Sequence, residues 1–125
     1  MKDDTENCDR TRVESLTSDF FTLWSSKNEA GLLRLFASTF QLQDGLPEGR
    51  AVIHTADDLR RYLESRFALG DTFTPTRIEI PAKPSATQAN ATVAFRRAFA
   101  GRILDGNAKL VCKSGVLPDV VMTAE

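Results

Sequence analysis

Apolar side chains at Val13, Leu16, Phe20 and Trp24 recur every three or four residues, the period of one buried helix face. Thr11 and Glu14 stand just ahead in the T-x-x-E arrangement of a capping box, which predicts that the first helix opens there. Ser26 with Glu29 forms a second such box, predicting a helix to about residue 37, and the short corner between them makes the two helices neighbours. Over residues 39–43 the period changes to two, with Phe40 and Leu42 on one face of a strand that leads to Asp44. Residues 44–49, DGLPEG, are turn chemistry, and residues 50–54 read as a brief strand. Thr55 and Asp58 then introduce a third helix whose apolar face is Leu59, Tyr62, Leu63 and Phe67, with Gly70 as its left-handed stop.

Beyond Gly70 the pattern is that of strands. Phe73, Ile78 and Ile80 mark one, and Pro75 within it indicates a sheet edge. Pro81 and Pro84 punctuate a loop. Ala91, Val93 and Phe95 alternate with small or polar residues, and Arg96 and Arg97 then point to opposite faces of a strand with a local irregularity. Asp105-Gly106 is a hairpin signal, after which Ala108, Leu110 and Cys112 share one face of the returning strand. Residues 120–123 read as a last short strand. Helices followed by a run of strands indicate an α+β domain with a mostly antiparallel sheet.

The 125 residues fit one domain over residues 11–125 behind a flexible tail over residues 1–10. A net charge of −1 with scattered basic residues lacks the basic face that nucleic acid needs. No run approaches the roughly 20 apolar residues of a membrane span. The polar, acidic N-terminus is unlike a signal peptide, so a cytoplasmic protein that contacts neither nucleic acid nor membrane is expected. Nothing in the sequence pairs Cys8 with Cys112, and two reduced thiols suit that setting. One histidine and two distant cysteines do not make a zinc site, and no metal or other cofactor is expected.

The residues FxxLW and AGLLRLFA between Phe20 and Ala37, the FxLxD strand ending at Asp44 and the TADDLRRYL helix resemble the nuclear transport factor 2-like superfamily, which includes SnoaL-like polyketide cyclases and ketosteroid isomerases. The resemblance spans nearly the whole chain. It implies a cystatin-like α+β cone or roll, in which a strongly curved sheet wraps the first helix and leaves a pocket. It also implies a catalytic aspartate about eight residues after the phenylalanine that ends the second helix, which here is Asp44. Burial in an apolar cone makes an aspartate a better proton acceptor. The isomerases pair that base with a tyrosine and a protonated aspartate as oxyanion donors. The corresponding positions here fall at Phe20 and near Leu110 and Val111, which carry no such donor. Since one donor is worth about 2.7–4 kcal/mol at the transition state, classical steroid isomerisation is not expected.

The ligand-binding positions the resemblance implies are Phe20, Trp24, His54, Tyr62, Phe95, Arg97 and Leu110. Each has a plainer reading as well. Asp44 beside Gly45 is also a turn aspartate bonding its own backbone. Phe20 and Trp24 are also core residues, His54 a solvated histidine, Tyr62 a core tyrosine and Arg97 a salt-bridged or solvated side chain. An Asp44–Arg97 arrangement that activates water stays open. Two functions follow. One is a pocket for a small apolar or anionic ligand, with isomerase, cyclase or hydrolase-type acid–base chemistry at Asp44. The other is a non-catalytic homodimeric interaction module that uses the outer face of the sheet. A cavity inside the cone favours the first, and a cone filled by its own side chains favours the second.

Overall fold

The computed structural model describes residues 7–80 and 88–125. The expected Pro81–Pro84 loop and most of the expected tail lie outside them. Helix α1 spans Arg10–Ser25, α2 spans Glu29–Leu35 and α3 spans Ala56–Ala68. The strands are β1 (Phe36–Leu46), β2 (Gly49–Ile53), β3 (Thr72–Glu79), β4 (Gln88–Phe99), β5 (Arg102–Lys113) and β6 (Val116–Ala124). Together they form one six-stranded sheet in the order β2-β1-β6-β5-β4-β3. All neighbours are antiparallel except β1 and β6, which run parallel. This is the expected α+β class.

The three helices begin where a side-chain oxygen accepts from a free backbone N–H. Thr55 does this for α3 as its capping box predicts, accepting from the Asp58 N–H at 3.1 Å. For α1 the cap is Asp9, two residues ahead of Thr11, and for α2 it is Asn28 rather than Ser26. The expected tail therefore packs at its inner end: Cys8 is buried, Asp9 caps and Arg10 is already helical. Gly70 ends α3 at φ 70°, in the left-handed conformation that glycine adopts without a Cβ clash.

Period-two alternation survives intact in β4, where Ala89, Ala91, Val93, Phe95, Arg97 and Phe99 all face inward. Their partners on β5 are the inward Leu104, Gly106, Ala108, Leu110 and Cys112. The β4–β5 register is continuous, so the irregularity expected near Arg97 is absent and the register shift lies in edge strand β3, beside Pro75. Asp105-Gly106 is not the hairpin either. The turn is at Ala100-Gly101, and Gly106 sits within β5 because a Cβ there would fall 2.4 Å from the Thr123 carbonyl and 2.6 Å from the Phe95 ring. Glycine's missing side chain is used here for close approach, not for a turn.

The last strand is longer than its sequence suggests and lies in the middle of the sheet, between β1 and β5. Its short, aromatic-free sequence predicts a sheet edge that is frayed or covered by a partner chain. Its inward Leu117, Val120, Met122 and Ala124 instead fill the core. Sulfur from Cys8 is bonded to that of Cys112 across 104 residues of chain, which corrects the expectation of two free thiols. The bond fastens the start of α1 to the inner face of β5, next to the Arg12 Nε bond to the Gly115 carbonyl. No helix among the described residues is long and apolar enough to cross a membrane.

Candidate functional site

Asp44 follows Phe40 and Leu42 in phase along β1, so the same alternation that buries those two turns its carboxylate inward. Its backbone pairs with Ala51 on β2 and Met122 on β6, so the residue is part of a strand and not of the following turn. Arg97 reaches the interior by the same rule on β4, in phase with Phe95 and Phe99. Two strands, β6 and β5, separate β1 from β4. In a flat sheet that places the two residues about 14 Å apart. Here Arg97 Nη1 donates to Asp44 Oδ1 at 2.7 Å and Nη2 to Oδ2 at 2.9 Å. The sheet is curled enough for its strands to meet across the cone.

A second carboxylate completes the pairing. Asp71, in the turn between α3 and β3, accepts from Arg97 Nε at 2.9 Å through Oδ1 and from Arg97 Nη2 at 2.7 Å through Oδ2. Its Oδ2 also accepts from Arg66 Nε at 2.9 Å and from the Trp24 indole N–H at 3.2 Å. Tyr62 donates its hydroxyl to Asp44 Oδ2. Asp44, Asp71 and Arg97 are each 0% exposed. The network joins α1, α3, β1 and β4 through two acids and two guanidiniums of balancing charge, as buried ions require.

The electrostatics hold Arg97 charged and Tyr62 neutral. Burial opposes the charge on Arg97, but its hydrogen bonds to Asp71 and Asp44 and their negative charges outweigh that and raise its pKa. The Tyr62 hydroxyl is pushed up by burial first, then by the charge of Asp44 and the bond to it, so it stays protonated. The Arg97 guanidinium also lies 4.6 Å from the Phe73 ring centroid and 5.7 Å from that of Trp24, a cation held over aromatic faces.

Of the residues singled out in the sequence, the structure gathers Asp44, Tyr62, Arg97 and Trp24 into this one network. Phe20 packs on Phe21, Trp24 and Phe36. Phe95 packs on Phe21 and Phe73, and Leu110 is buried in the core. His54 is exposed and takes no part. Sequence reasoning missed Asp71 and Arg66. Arg97 carried the one available signal: an arginine in phase with Val93, Phe95 and Phe99 needs buried acids, and Asp44 alone leaves its Nε without one. Asp71 lies in a turn, where no period marks a side chain as inward.

Asp44 is heavily engaged: Oδ1 accepts one bond from Arg97 and Oδ2 accepts from both Arg97 and Tyr62, which leaves one lone pair, on Oδ1, for a proton. Four surface depressions of about 310 to 510 Å³ have none of Asp44, Asp71, Arg97, Trp24 or Tyr62 in their walls.

The depression of about 510 Å³ lies on the outer face of β3–β6, with Arg77, Glu79, Thr92, Asn107, Lys109 and Val121 in its wall. One row further along, Asn90, Val111 and Asp119 are paired side by side across β4, β5 and β6. Oδ1 of Asn90 and Oδ1 of Asp119 are buried there without a hydrogen-bond donor among the described residues.

No family profile matches the chain, and no curated protein sequence matches it. Solved structures do. An NTF2-like protein of unknown function from Cytophaga hutchinsonii superposes with a TM-score of 0.67 at 9% identity, over 90% of this chain and 88% of that one. A Nostoc punctiforme protein of unknown function with a cystatin-like fold gives 0.74 at 14% identity, over 94% and 91%. A Xanthomonas campestris protein for which polyketide cyclase activity is proposed gives 0.68 at 14% identity, over 93% and 92%. The chain therefore has the cystatin-like fold of nuclear transport factor 2-like proteins.

Proposed function

We propose that this chain is a non-catalytic association module that pairs with a second copy of itself through the outer face of its sheet. The observation that carries this reading is the Asn90–Val111–Asp119 row, an apolar side chain flanked by two buried acceptors without donors. Unsatisfied buried acceptors are costly, and a partner that brings N–H groups relieves them once the two side chains turn outward to meet it. A two-fold interface must complement itself, so it needs both signs of charge on one patch. Arg77 and Lys109 supply one sign beside this row, and Glu79 and Asp119 the other. The half-buried Val111 and Val121 supply apolar contact between them. The cone interior supports the same reading, because Asp44 and Asp71 are both paired with Arg97 there. The expected cytoplasmic setting is compatible with the disulfide to the extent that burial of both cysteines shields it from reductant.

Light scattering across a dilution series tests the reading. A dimer in the wild type that falls to monomer in Lys109→Glu is the expected result. A wild type that stays monomeric at every concentration overturns it.

Tyr62 favours a second reading. It is the half-buried member of the network, and its hydroxyl covers Asp44 Oδ2. A rotation of that ring uncovers the carboxylate to a small apolar or anionic ligand, for isomerase, cyclase or hydrolase-type proton transfer. Asp44→Asn separates the two readings, since it removes turnover or ligand binding under the second and leaves dimerisation in place under the first.

A further inference from the structure

Arg66 brings to the ionic network a buried guanidinium nitrogen with no hydrogen-bond partner among the described residues. Its side chain is 7% exposed, and its Nε is taken by Asp71, but Nη2 is buried with no partner among the described residues. Asp71 Oδ2, which takes the Arg66 Nε bond, already accepts three bonds and has no room for a fourth. The guanidinium lies 4.3 Å from the centroid of the Phe99 ring. A second guanidinium, that of Arg102, lies 5.2 Å from the same centroid. Phe99 ends β4 and Arg102 opens β5, paired across the hairpin turn, so both cations lie against one ring where the sheet ends.

A carboxylate is already drawn to this place. Glu48, in the turn between β1 and β2, accepts from Arg102 Nη1 at 3.1 and 3.3 Å through its two oxygens. Its carboxyl is held below its ordinary range, first by its own backbone N–H, against a smaller opposing effect of desolvation, and then by Arg102 and the charge of Arg66. Glu48 and Arg102 are both about half exposed, so this pair exchanges readily with solvent. Guanidinium forks fit carboxylates in a planar, two-bond geometry, which a buried fork with an idle N–H offers ready-made.

We propose that Arg66 and Arg102, set against the Phe99 ring, form a carboxylate-binding site of which Glu48 is the internal occupant. An external carboxylate enters when Glu48 swings into solvent, taking Arg102 and the idle Nη2 of Arg66. The site is separate from the outer sheet face and needs no chemistry at Asp44. Glu48 acts as a competitor that holds the site filled and lowers the apparent affinity for anything else.

Calorimetric titration with benzoate, using benzamide as the uncharged control, tests this. Glu48→Gln, an exposed change, is expected to bind benzoate roughly tenfold more tightly than wild type, because the competent site is no longer self-occupied. Adding Arg102→Gln, also exposed, is expected to abolish that gain. Arg66→Lys, which keeps the charge but not the fork, is expected to lose most of it while circular dichroism reports an intact fold. Equal binding of benzoate and benzamide by Glu48→Gln overturns the proposal, as does a benzoate affinity that Arg102→Gln leaves unchanged.

Discussion

Arg97 and Asp44 face each other end-on across the interior, joined by two hydrogen bonds of 2.7 and 2.9 Å, although two strands separate theirs in the sheet. The pair measures the curl of the sheet. Its consequence is that the carboxylate singled out in the sequence is held by a guanidinium in the folded chain.

Arg97→Leu leaves Asp44 buried without a cation and Asp71 with Arg66 alone. Breaking a buried ion pair from one side costs about 3–5 kcal/mol, and urea denaturation is expected to report a loss of that size. Converting Asp44 to Asn as well is expected to recover part of it, because the stranded charge is removed while Asp71 keeps Arg66. A single Arg97→Leu variant as stable as wild type contradicts the network's role.

Tyr62, the chain's one tyrosine, gives an alkaline signature. Its folded pKa is raised above the ordinary value near 10, so its contribution to stability is complete below that value and fades as pH rises toward the folded pKa. Absorbance at tyrosinate wavelengths is expected to stay flat through the normal range and then to rise together with unfolding followed by circular dichroism. Ionisation at the ordinary value in the folded protein refutes the buried Tyr62–Asp44 bond.

The Cys8–Cys112 bond closes a loop of about a hundred residues. Chain-entropy reasoning, with typical losses in small domains, puts its removal at about 2–5 kcal/mol. The double replacement Cys8→Ser, Cys112→Ser is expected to lower Tm and the urea midpoint accordingly. Reductant is expected to change neither in the variant, while it lowers both in the wild type on prolonged exposure.

Gly106→Ala places a methyl group against the Thr123 carbonyl and the Phe95 ring. Overpacking of this kind costs about 1–3 kcal/mol, which the urea midpoint reads directly. The neighbouring Asp105→Ala, whose side chain is exposed, is expected to move it far less. Equal effects return Asp105-Gly106 to the role of an ordinary turn.

Local rules made much of this protein legible before its structure. A helix announces itself by apolar residues three and four apart, and a half-buried strand by alternation, so α1, α3, β1, β4 and β5 were readable from Val13 to Cys112. Alternation ran Phe40 and Leu42 toward Asp44 and set Arg96 and Arg97 on opposite faces, because phase along a strand is a local property. The sequence alone did not give the partner of each inward charge. Asp71 sits in a turn with no phase to read, Cys8 and Cys112 are 104 residues apart, and the site of β6 between β1 and β5 depends on a parallel pairing that closes last in the chain. Gly106 shows the same division, since a glycine beside an aspartate looks like a turn until Phe95 arrives from the next strand. Sequence determined which side chains face inward. Tertiary structure decided what they meet there, because an interior this closely packed leaves a buried charge no water and only the neighbours that the curl of the sheet brings within reach.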